Sequence, residues 1–327
     1  MPDYKGIQGT AVQNFSADPP APVTGQVWYN STTGQFKYQD TIPTGAWATG
    51  GNLNTGRYSG SGAGIQTSAL FFGGTTDDGG TNTGATESYN GTAWTSSPNS
   101  LGTARRFCAG AGTQTAALNA SGFTTVNVGN NESWNGTSWT EVGDVNTARR
   151  VLGGVGASNT AALVFGGFTT VVVNNTESWN GTSWTEVNDL NTTRSYPGGA
   201  GTQTAALAFG GATPTITGAT ESWNGTSWTN SPASMNTARG DLQGCGATNT
   251  AALAFGGATA TVIVSNTESY NGTSWTEVND LNFTSRYGTG IGTNTAALNV
   301  SGAGSIPKTT TEEWNAPYSA TEIITTT

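Results

Sequence analysis

The chain has 327 residues, of which 34% are hydrophobic and 9% are charged, and its formal net charge at pH 7 is −9. This acidic balance argues against duplex nucleic acid as a ligand, because the phosphate backbone is bound mainly by clustered lysine and arginine. The sequence contains no histidine, which removes the commonest general base and metal ligand, so we expect no metal site and no cofactor.

The N-terminal residues 1–27 contain four prolines and no apolar stretch long enough for a signal peptide or a membrane span. We expect an extended arm here that anchors the protein to another component and is not inserted in a membrane. Residues 28–46 are assigned to a β-hairpin or linker, and residues 47–327 to a repeated domain.

The segment DPPAPVTGQVWYNSTTGQFKY, residues 18–38, resembles a motif of tail-fibre and other virion proteins of marine bacteriophages. In those proteins the motif precedes an attachment or display domain. The resemblance covers about twenty residues. It implies that the chain is a structural protein of a virus particle and that its arm binds other virion proteins.

The phrase TESWNGTSWTEV, residues 176–187, predicts a β-hairpin, because an Asn-Gly pair between β-prone residues is typical of a two-residue type I′ turn. In that register Trp179 lies opposite Thr182 and Glu177 lies opposite Trp184. Both indoles then share one face of the hairpin. A two-stranded ribbon cannot bury them alone, so the hairpin must pack against something else.

The same phrase returns along the chain. Asn-Gly pairs begin at Asn90, Asn135, Asn180, Asn224 and Asn271. The tryptophan that follows, together with an earlier one, recurs every 44 to 47 residues, at Trp47, Trp94, Trp139, Trp184, Trp228 and Trp275. Upstream of each hairpin lies an apolar run ending in Gly-Gly or Ser-Gly, and further upstream an arginine followed by a glycine-rich run. This period indicates repeated supersecondary units.

The order of arginine, glycine-rich strand, apolar run with Gly-Gly, aromatic residue, short turn and tryptophan resembles the kelch repeat, whose units are four-stranded blades of a β-propeller. The match covers about residues 47–316. Tyr89 and Tyr270 replace the first tryptophan of two units, and two units lose one glycine of the pair. The resemblance implies an all-β fold.

The number of units sets the number of blades. Six units begin at Arg57, Arg106, Arg150, Arg194, Arg239 and Arg286, and the sixth ends after Trp314 without a second tryptophan. The strand that carries Trp47 precedes the first arginine and has no unit of its own. We therefore predict a six-bladed propeller in which this N-terminal strand completes the last blade. The alternative is a seventh blade built from QVWYNSTTGQFKYQ.

Buried tryptophans between blades are expected to hold the fold together, since each removes about 200 Å² from water. The predicted structural residues are Trp47, Trp94, Trp134, Trp139, Trp179, Trp184, Trp223, Trp228, Trp275 and Trp314. Each unit also has one glutamate before its first aromatic residue. The arginines and glutamates are interpreted as scaffold groups, paired across blades.

Catalysis is not predicted. A copper-oxidase site of the kind known in some kelch propellers would need histidine ligands, which are absent. The adjacent carboxylate pairs Asp77-Asp78 and Glu312-Glu313 would point to opposite faces of a strand and so do not form a dyad. Cys108 and Cys245 belong to distant units and are expected to be unpaired, small apolar side chains.

One face of the propeller is predicted to bind a ligand. The connections between the second and third strands differ from unit to unit, and so do the residues that follow the arginines, whereas the other face repeats Asn-Gly and GTQT-like turns. Positions that differ among the six units are not constrained by the shared scaffold, so their side chains are available to recognise a sugar or peptide. The candidate residues are Tyr58, Asp77, Asp78, Phe107, Leu152, Tyr196, Asp241 and Tyr287.

Together these interpretations predict a non-enzymatic bacteriophage virion protein, such as a tail fibre, fibre-like appendage or decoration. It would stand on the particle surface in several copies or as a homo-oligomer, be released by host lysis, and bind a host-surface glycan or protein. The alternative is a bacterial surface or filament protein whose blades contact other subunits. A secreted carbohydrate-active enzyme is the weakest of the three interpretations.

Overall fold

The computed structural model describes residues 12–20, 23, 25–42, 45–76 and 80–324. It forms two compact units, one of residues 46–315 and the other of residues 1–45 with 316–327. The regular elements of the described residues are all β-strands. The part of the chain that the structure describes has no helix of the length and apolarity needed to cross a bilayer.

The strands are numbered in chain order. The first fifteen are β1 (Gln13–Phe15), β2 (Val27–Asn30), β3 (Gln35–Ile42), β4 (Ala46–Thr49), β5 (Ser61–Ile65), β6 (Ser68–Phe72), β7 (Thr86–Tyr89), β8 (Trp94–Ser96), β9 (Ala109–Thr113), β10 (Ala116–Ala120), β11 (Asn131–Trp134), β12 (Trp139–Val142), β13 (Gly153–Ser158), β14 (Ala161–Phe165) and β15 (Thr176–Trp179). The others are β16 (Trp184–Val187), β17 (Gly198–Thr202), β18 (Ala205–Phe209), β19 (Thr220–Trp223), β20 (Trp228–Asn230), β21 (Gln243–Thr248), β22 (Ala251–Phe255), β23 (Thr267–Tyr270), β24 (Trp275–Val278), β25 (Ser285–Arg286), β26 (Thr289–Gly292), β27 (Ala296–Val300), β28 (Ala303–Gly304), β29 (Thr311–Asn315) and β30 (Tyr318–Ile323).

The smaller unit is a four-stranded sheet in the order β1-β2-β3-β30. β2 and β3 form an antiparallel hairpin, β1 runs parallel to β2, and β30 runs antiparallel to β3. The structure therefore divides the chain differently from the sequence prediction. Gln13–Phe15 of the proposed arm form a paired strand, Val27–Asn30 and Gln35–Ile42 belong to the same sheet, and Tyr318–Ile323 join this unit rather than the repeats because β30 pairs with β3.

The larger unit is a ring of six four-stranded antiparallel blades. Blades 1 to 5 are β5–β8, β9–β12, β13–β16, β17–β20 and β21–β24, and blade 6 is β26, β27 and β29 completed by β4. The first strand of each blade contacts the first strand of the next, and β26 of blade 6 contacts β5 of blade 1, which closes the ring. The predicted six-bladed β-propeller is confirmed.

Closure depends on the strand that carries Trp47. β4 pairs antiparallel with β29, and Trp47 lies directly opposite Trp314 with ring centroids 5.5 Å apart. The first and last segments of the larger unit are thus hydrogen-bonded in one blade, so that β29 is paired on both sides like the third strand of every other blade. The segment QVWYNSTTGQFKYQ forms β2 and β3 of the smaller unit and is not a seventh blade of this ring.

The hairpin of the repeated phrase has a different register from the predicted one. Trp179 lies opposite Trp184 and Glu177 lies opposite Glu186, so the loop contains four residues, 180–183, and not two. Asn180 does not have a positive φ; its side-chain oxygen instead accepts the backbone N–H groups of Thr182 and Ser183, each at 2.9 Å. An Asx turn therefore replaces the type I′ turn, because the asparagine side chain satisfies the loop backbone.

Glycines let the inner strands approach one another closely around the axis. A Cβ atom on Gly110 would lie 2.4 Å from the carbonyl oxygen of Gly62 in the preceding blade, and one on Gly290 would lie 2.6 Å from that of Gly244. Only glycine fits at these positions, so the glycine-rich runs are structural and not flexible linkers.

A buried ion pair repeats inside blades 1 to 5. The pairs are Arg57 with Glu87, Arg105 with Glu132, Arg149 with Glu177, Arg194 with Glu221, and Arg239 with Glu268. In each pair the arginine precedes the first strand and the glutamate lies on the third strand of the same blade, so the predicted pairing across blades is wrong. The glutamate also accepts backbone N–H groups of the incoming chain, as Glu177 does from Asn146 and Thr147.

Blade 6 breaks this pattern. Ser285 occupies the position of the buried arginine, and Glu312 is held instead by the backbone and side chain of Asn282 and by Asn299. Burial raises the pKa of Glu312, and these hydrogen bonds oppose the rise. The sequence interpretation had placed Arg286 at this position, one residue too late.

The aromatic residues hold neighbouring blades together. The Nε1 groups of Trp47, Trp94, Trp139, Trp228 and Trp275 each donate a hydrogen bond of 2.9 to 3.0 Å to a threonine hydroxyl on the third strand of the preceding blade. The inner indoles of Trp134, Trp179, Trp223 and Trp314 donate to turn carbonyls of their own blades. Nine of the ten predicted structural tryptophans are buried, and Trp139 is half-buried.

The turns between first and second strands also bridge blades. Gln203 donates from Nε2 to the carbonyl oxygen of Trp179, and Asn249 donates in the same way to that of Trp223. These turns are therefore repeated because the scaffold requires their amide side chains.

Candidate functional site

The two faces of the propeller are built from different connections. We call the face that carries the links between second and third strands, and between successive blades, the connection face. The face that carries the tight hairpin turns is the turn face. On the connection face the two kinds of link pair with each other, as Tyr58 does with Thr75 and Arg150 with Phe168.

A ring of six residues surrounds the axis on the connection face. Each lies two positions after the buried arginine, or after Ser285 in blade 6, and each has a left-handed backbone with φ between 53° and 58°. The residues are Ser59, Phe107, Val151, Tyr196, Asp241 and Tyr287. This conformation is costly for residues other than glycine, above all for the β-branched Val151, so the surrounding structure must hold it in place.

Hydrogen bonds between successive blades hold this ring. The backbone N–H of Phe107 donates to the carbonyl of Ser59, that of Val151 to Phe107, and that of Tyr196 to Val151. Ser59 donates to Tyr287 in the same way, and Tyr287 to Asp241. The five bonds are 2.8 to 3.0 Å long. The backbone of the ring is thus scaffold, whereas its side chains differ from blade to blade.

Three aromatic rings meet across the axis. Phe107, Tyr196 and Tyr287 come from blades 2, 4 and 6, and their centroids are 5.4 to 5.9 Å apart. Side chains from alternate blades can meet in this way only above the centre of the ring. The sequence predicts aromatic groups around a channel mouth. In the structure these three rings contact one another across the mouth and line a cavity of about 100 Å³. We call the three rings the aromatic plug.

Asp241 adds a carboxylate beside the plug. It lies in blade 5, between Tyr196 and Tyr287, and its Oδ2 is 3.8 Å from Nη1 of Arg286. Burial raises the pKa of the Asp241 carboxyl, while a hydrogen bond with Tyr287 and the charge of Arg286 oppose the rise. Burial also raises the pKa of the Tyr196 and Tyr287 hydroxyls.

Four predicted candidates, Phe107, Tyr196, Asp241 and Tyr287, therefore lie together in the ring. Leu152 lines the same cavity but is buried, and Val151 holds its predicted ring position. Tyr58 lies outside the ring, where Lys308 packs over it, and Ser59 takes its place. Asp77 and Asp78 lie outside the described residues.

The two misplaced candidates have different causes. Tyr58 is one residue after the buried Arg57, whereas the ring position is two residues after it, and Leu152 was counted from Arg150 instead of Arg149. In the Arg-Arg pairs at 105–106 and 149–150 the sequence interpretation took the second arginine as the start of the unit, whereas the first arginine is the buried one. The unit spacing alone does not distinguish two adjacent arginines. The Asn-Thr pair that precedes the buried arginine in blades 1, 3, 4 and 5, as in "NTARR", could have fixed the register, with Gly102-Thr103 as its variant in blade 2.

The second arginines form a row of stacked side chains that sequence reasoning missed. Arg106 lies over Phe123 at 5.0 Å, and Arg150 lies over Phe123 at 4.7 Å and over Phe168 at 4.8 Å. Beyond this row the strand 2–3 connections of blades 2, 3 and 5 expose Val126, Val171 and Val262, each more than half accessible to solvent.

The turn face differs in chemistry. Its channel mouth is a bowl of about 410 Å³ lined by glycines and by small or neutral residues such as Thr113, Ala157 and Thr202, and its lining has no charged side chain among the described residues. Such a surface offers a ligand shape, hydrogen bonds and apolar contact with residues such as Ile65, but no charge from the described residues.

Metal binding and thiol chemistry find little support in the described part of the chain. No group of three histidine, cysteine, aspartate or glutamate side chains there could hold a metal ion. Cys108 and Cys245 are unpaired, and burial raises the pKa of the Cys108 thiol to about 11 and that of Cys245 further. Both thiols therefore stay protonated near neutral pH, a state in which they are poor nucleophiles and poor metal ligands.

Comparison with known proteins finds a match to the fold but none to the sequence. No family model matches the chain, and no curated protein matches its sequence. A solved structure described as the structure of YjhT superposes with a TM-score of 0.68 and 12% sequence identity, covering 81% of this chain and 96% of that one. At this identity the likeness shows the fold alone. The protein is a β-propeller, and its activity has to be argued from its own surface.

Proposed function

We propose that the protein is a non-enzymatic structural component of a bacteriophage particle and that its connection face binds a receptor on the host surface, such as a glycan. The observation that carries the proposal is the contrast between the scaffold, repeated in all six blades, and the ring of Ser59, Phe107, Val151, Tyr196, Asp241 and Tyr287, in which side chains differ on one shared backbone. Aromatic rings beside polar groups are suited to sugars.

The smaller unit supports the role in a particle. The segment that resembles phage virion proteins supplies β2 and part of β3 to the sheet of this unit. Asp18 of the segment accepts hydrogen bonds from Trp28 Nε1 at 3.1 Å and Asn30 Nδ2 at 2.8 Å. Asp18 also pairs with Lys37 at 2.7 Å, and these partners lower the pKa of Asp18 to about 2. We propose that this unit attaches several copies of the chain to other virion proteins.

A second candidate function is that of a bacterial surface or filament protein whose blades contact other subunits. The exposed Val126, Val171 and Val262 favour it, because apolar loop tips on one face are suited to protein contacts.

Two measurements distinguish these candidates. Mass spectrometry of density-purified phage particles should find the protein in stoichiometric amounts, whereas its absence from particles and presence on cell surfaces would favour the second candidate. Soluble propeller added before infection should then compete with particles for host cells and lower the adsorption rate. Failure to compete at saturating concentration would leave a decorative role only.

A further inference from the structure

The accessible cations of the propeller all lie on the connection face. Of the nine lysine and arginine residues in the described larger unit, five are the buried arginines of the ion pairs. The others are Arg106, Arg150, Arg286 and Lys308, and all four belong to links of the connection face. In a chain with a net charge of −9, the described residues of the larger unit thus carry their solvent-accessible positive charge on the face that also breaks the repeat.

Each of these four cations lies over an aromatic ring. Besides the row of Arg106 and Arg150, Arg286 lies 4.9 Å from the centroid of Tyr287, and Lys308 lies 5.1 Å from that of Tyr58. Stacking on a ring fixes the plane of a guanidinium, and the N–H edge remains available to a carboxylate.

The scaffold does not require arginine at these positions. The residue that follows the buried arginine is Arg106 in blade 2 and Arg150 in blade 3, but Ser195 in blade 4 and Gly240 in blade 5. All four blades have the same strand order and the same buried ion pair. The guanidinium groups of blades 2 and 3 are therefore additions to a framework that forms without them.

Both arginines are held in place before any ligand arrives. Arg106 donates from Nη1 to the carbonyl of Gly80 and to Oδ1 of Asn82, each at 2.7 Å, and Arg150 donates from Nη1 to Oδ1 of Asn127 at 2.9 Å. Asn82 and Asn127 are themselves anchored, because each donates to two backbone carbonyls of the next blade. Within the described residues the guanidinium group of Arg150 makes this one hydrogen bond, which leaves its Nε and Nη2 donors for a ligand.

We propose that the row formed by Arg106, Phe123, Arg150 and Phe168, which we call the arginine row, binds the carboxylates of an acidic polysaccharide. Planar guanidinium groups bind carboxylates through two parallel hydrogen bonds. The two groups come from adjacent blades and lie 5.0 and 4.7 Å from the centroid of the same ring, Phe123, so successive carboxylates of one polymer chain can pair with them. Val126 and Val171 offer apolar contact for the C–H groups of the sugar rings. The inference rests on the proposed receptor function and names its ligand class.

The test uses the full chain and defined probes. Isothermal titration at about 50 mM salt, where charge interactions are weakly screened, would measure binding of galacturonate and mannuronate oligomers and of their methyl esters, which differ only in charge. Arg106→Ser/Arg150→Ser is the test variant, because serine is the residue that blade 4 tolerates there. A Thr185→Asp/Thr229→Asp chain lowers the net charge by the same amount on exposed outer strands and is the control.

The proposal predicts that the wild type and the control bind an acid oligomer at least about tenfold more tightly than its methyl ester, a difference of about 1.4 kcal/mol. The double serine variant should lose at least that factor while its melting temperature stays unchanged.

Equal binding of acid and ester would overturn the acidic class and leave receptor binding intact. Undiminished acid binding by the serine variant, or no binding of either acid by the wild type, would overturn the site. Oligothymidylate bound as tightly as the acid sugars would show a site for any polyanion and refute the assignment to sugars. None of these outcomes affects the mass-spectrometric test for the protein in purified phage particles, so failure of the site can be distinguished from failure of the proposed function.

Discussion

Trp228 and Thr176 connect two neighbouring blades: the indole Nε1 donates a 3.0 Å hydrogen bond to the threonine Oγ1. The same bond recurs at four other blade junctions. At the junction of blades 2 and 3, Asn131 occupies the threonine position, and neither the Nε1 of Trp184 nor the Oδ1 of Asn131 has a hydrogen-bond partner among the residues that the structure describes. One of the six junctions therefore contains unsatisfied buried polar atoms, which are costly.

We expect Asn131→Thr to stabilise the protein by about 1 kcal/mol, because it restores the missing hydrogen bond to Trp184. Thermal unfolding followed by tryptophan fluorescence measures the change, which should be about 2 to 4 °C for a domain of this size. The reverse substitution Thr176→Asn in blade 3 is the matched control and should lower the melting temperature. If Asn131→Thr lowers it as well, the junction is held by other contacts.

The ion pair predicts opposite effects of one substitution in two blades. Glu177→Gln leaves the fully buried Arg149 without its counter-charge and should cost about 3 kcal/mol. Glu312→Gln, in the blade that has Ser285 instead of arginine, should raise stability at pH 7, because burial raises the pKa of Glu312 and penalises its charged form. Denaturant unfolding of both variants tests the contrast, and equal losses in the two blades would contradict it.

The pH dependence of Asp241 follows from the direction of its pKa shift. The folded pKa lies above the ordinary value of 3.8, so the folded state holds the proton more tightly than the unfolded state does. Wild-type stability is therefore expected to fall as pH rises from about 4 through the raised pKa. Asp241→Asn removes this titration. It should be more stable than wild type at pH 7, with the difference vanishing near pH 4 in a series of melting curves. A difference that stays constant with pH would mean that Asp241 is not buried in its charged form.

The free energy of unfolding should depend strongly on the inner indoles, which pack between blades. Trp179 is 1% exposed, and Trp179→Ala should cost about 3 to 5 kcal/mol through the cavity that it leaves. Trp139 is half-buried, so Trp139→Ala serves as the comparison and should cost less. Urea unfolding of the two variants measures the difference. An equal or larger loss for Trp139 would show that the hydrogen bond from its Nε1 to Thr86 outweighs burial.

The sequence predicts the six-bladed ring well because the same sequence features recur in each repeat unit. Six repeat units indicate the number of blades, and the single unmatched Trp47 indicates how the ring closes. Local register is predicted less well. The Asn180-Gly181 pair is typical of a two-residue turn, yet the Asn180 side chain accepts the backbone N–H groups of Thr182 and Ser183 and makes a four-residue loop. The turn propensity of the Asn-Gly pair predicts that a turn forms here, but it does not predict that the asparagine side chain replaces backbone hydrogen bonds in that turn.

The candidate site is predicted in part for a similar reason. The variation among copies locates the face and four residues of the ring. It does not show that Phe107, Tyr196 and Tyr287 meet above the axis, because contacts between alternate blades leave no pattern in the chain. The arginine row is missed because adjacent arginines look equivalent in sequence, although one is fully buried and the next one lies on the surface.

The most direct test of the account is the adsorption rate of particles in which one connection has been exchanged on either face. Replacing residues 168–176 of blade 3 with the nine residues 212–220 of blade 4 keeps the length and the scaffold but removes Phe168 and Val171. Replacing 158–160 with 202–204 changes only a hairpin turn on the turn face. We predict that the first exchange lowers adsorption to the host by at least about tenfold, or 1.4 kcal/mol, and that the second leaves it unchanged. Loss of adsorption with the turn exchange alone would place binding on the opposite face and contradict the account.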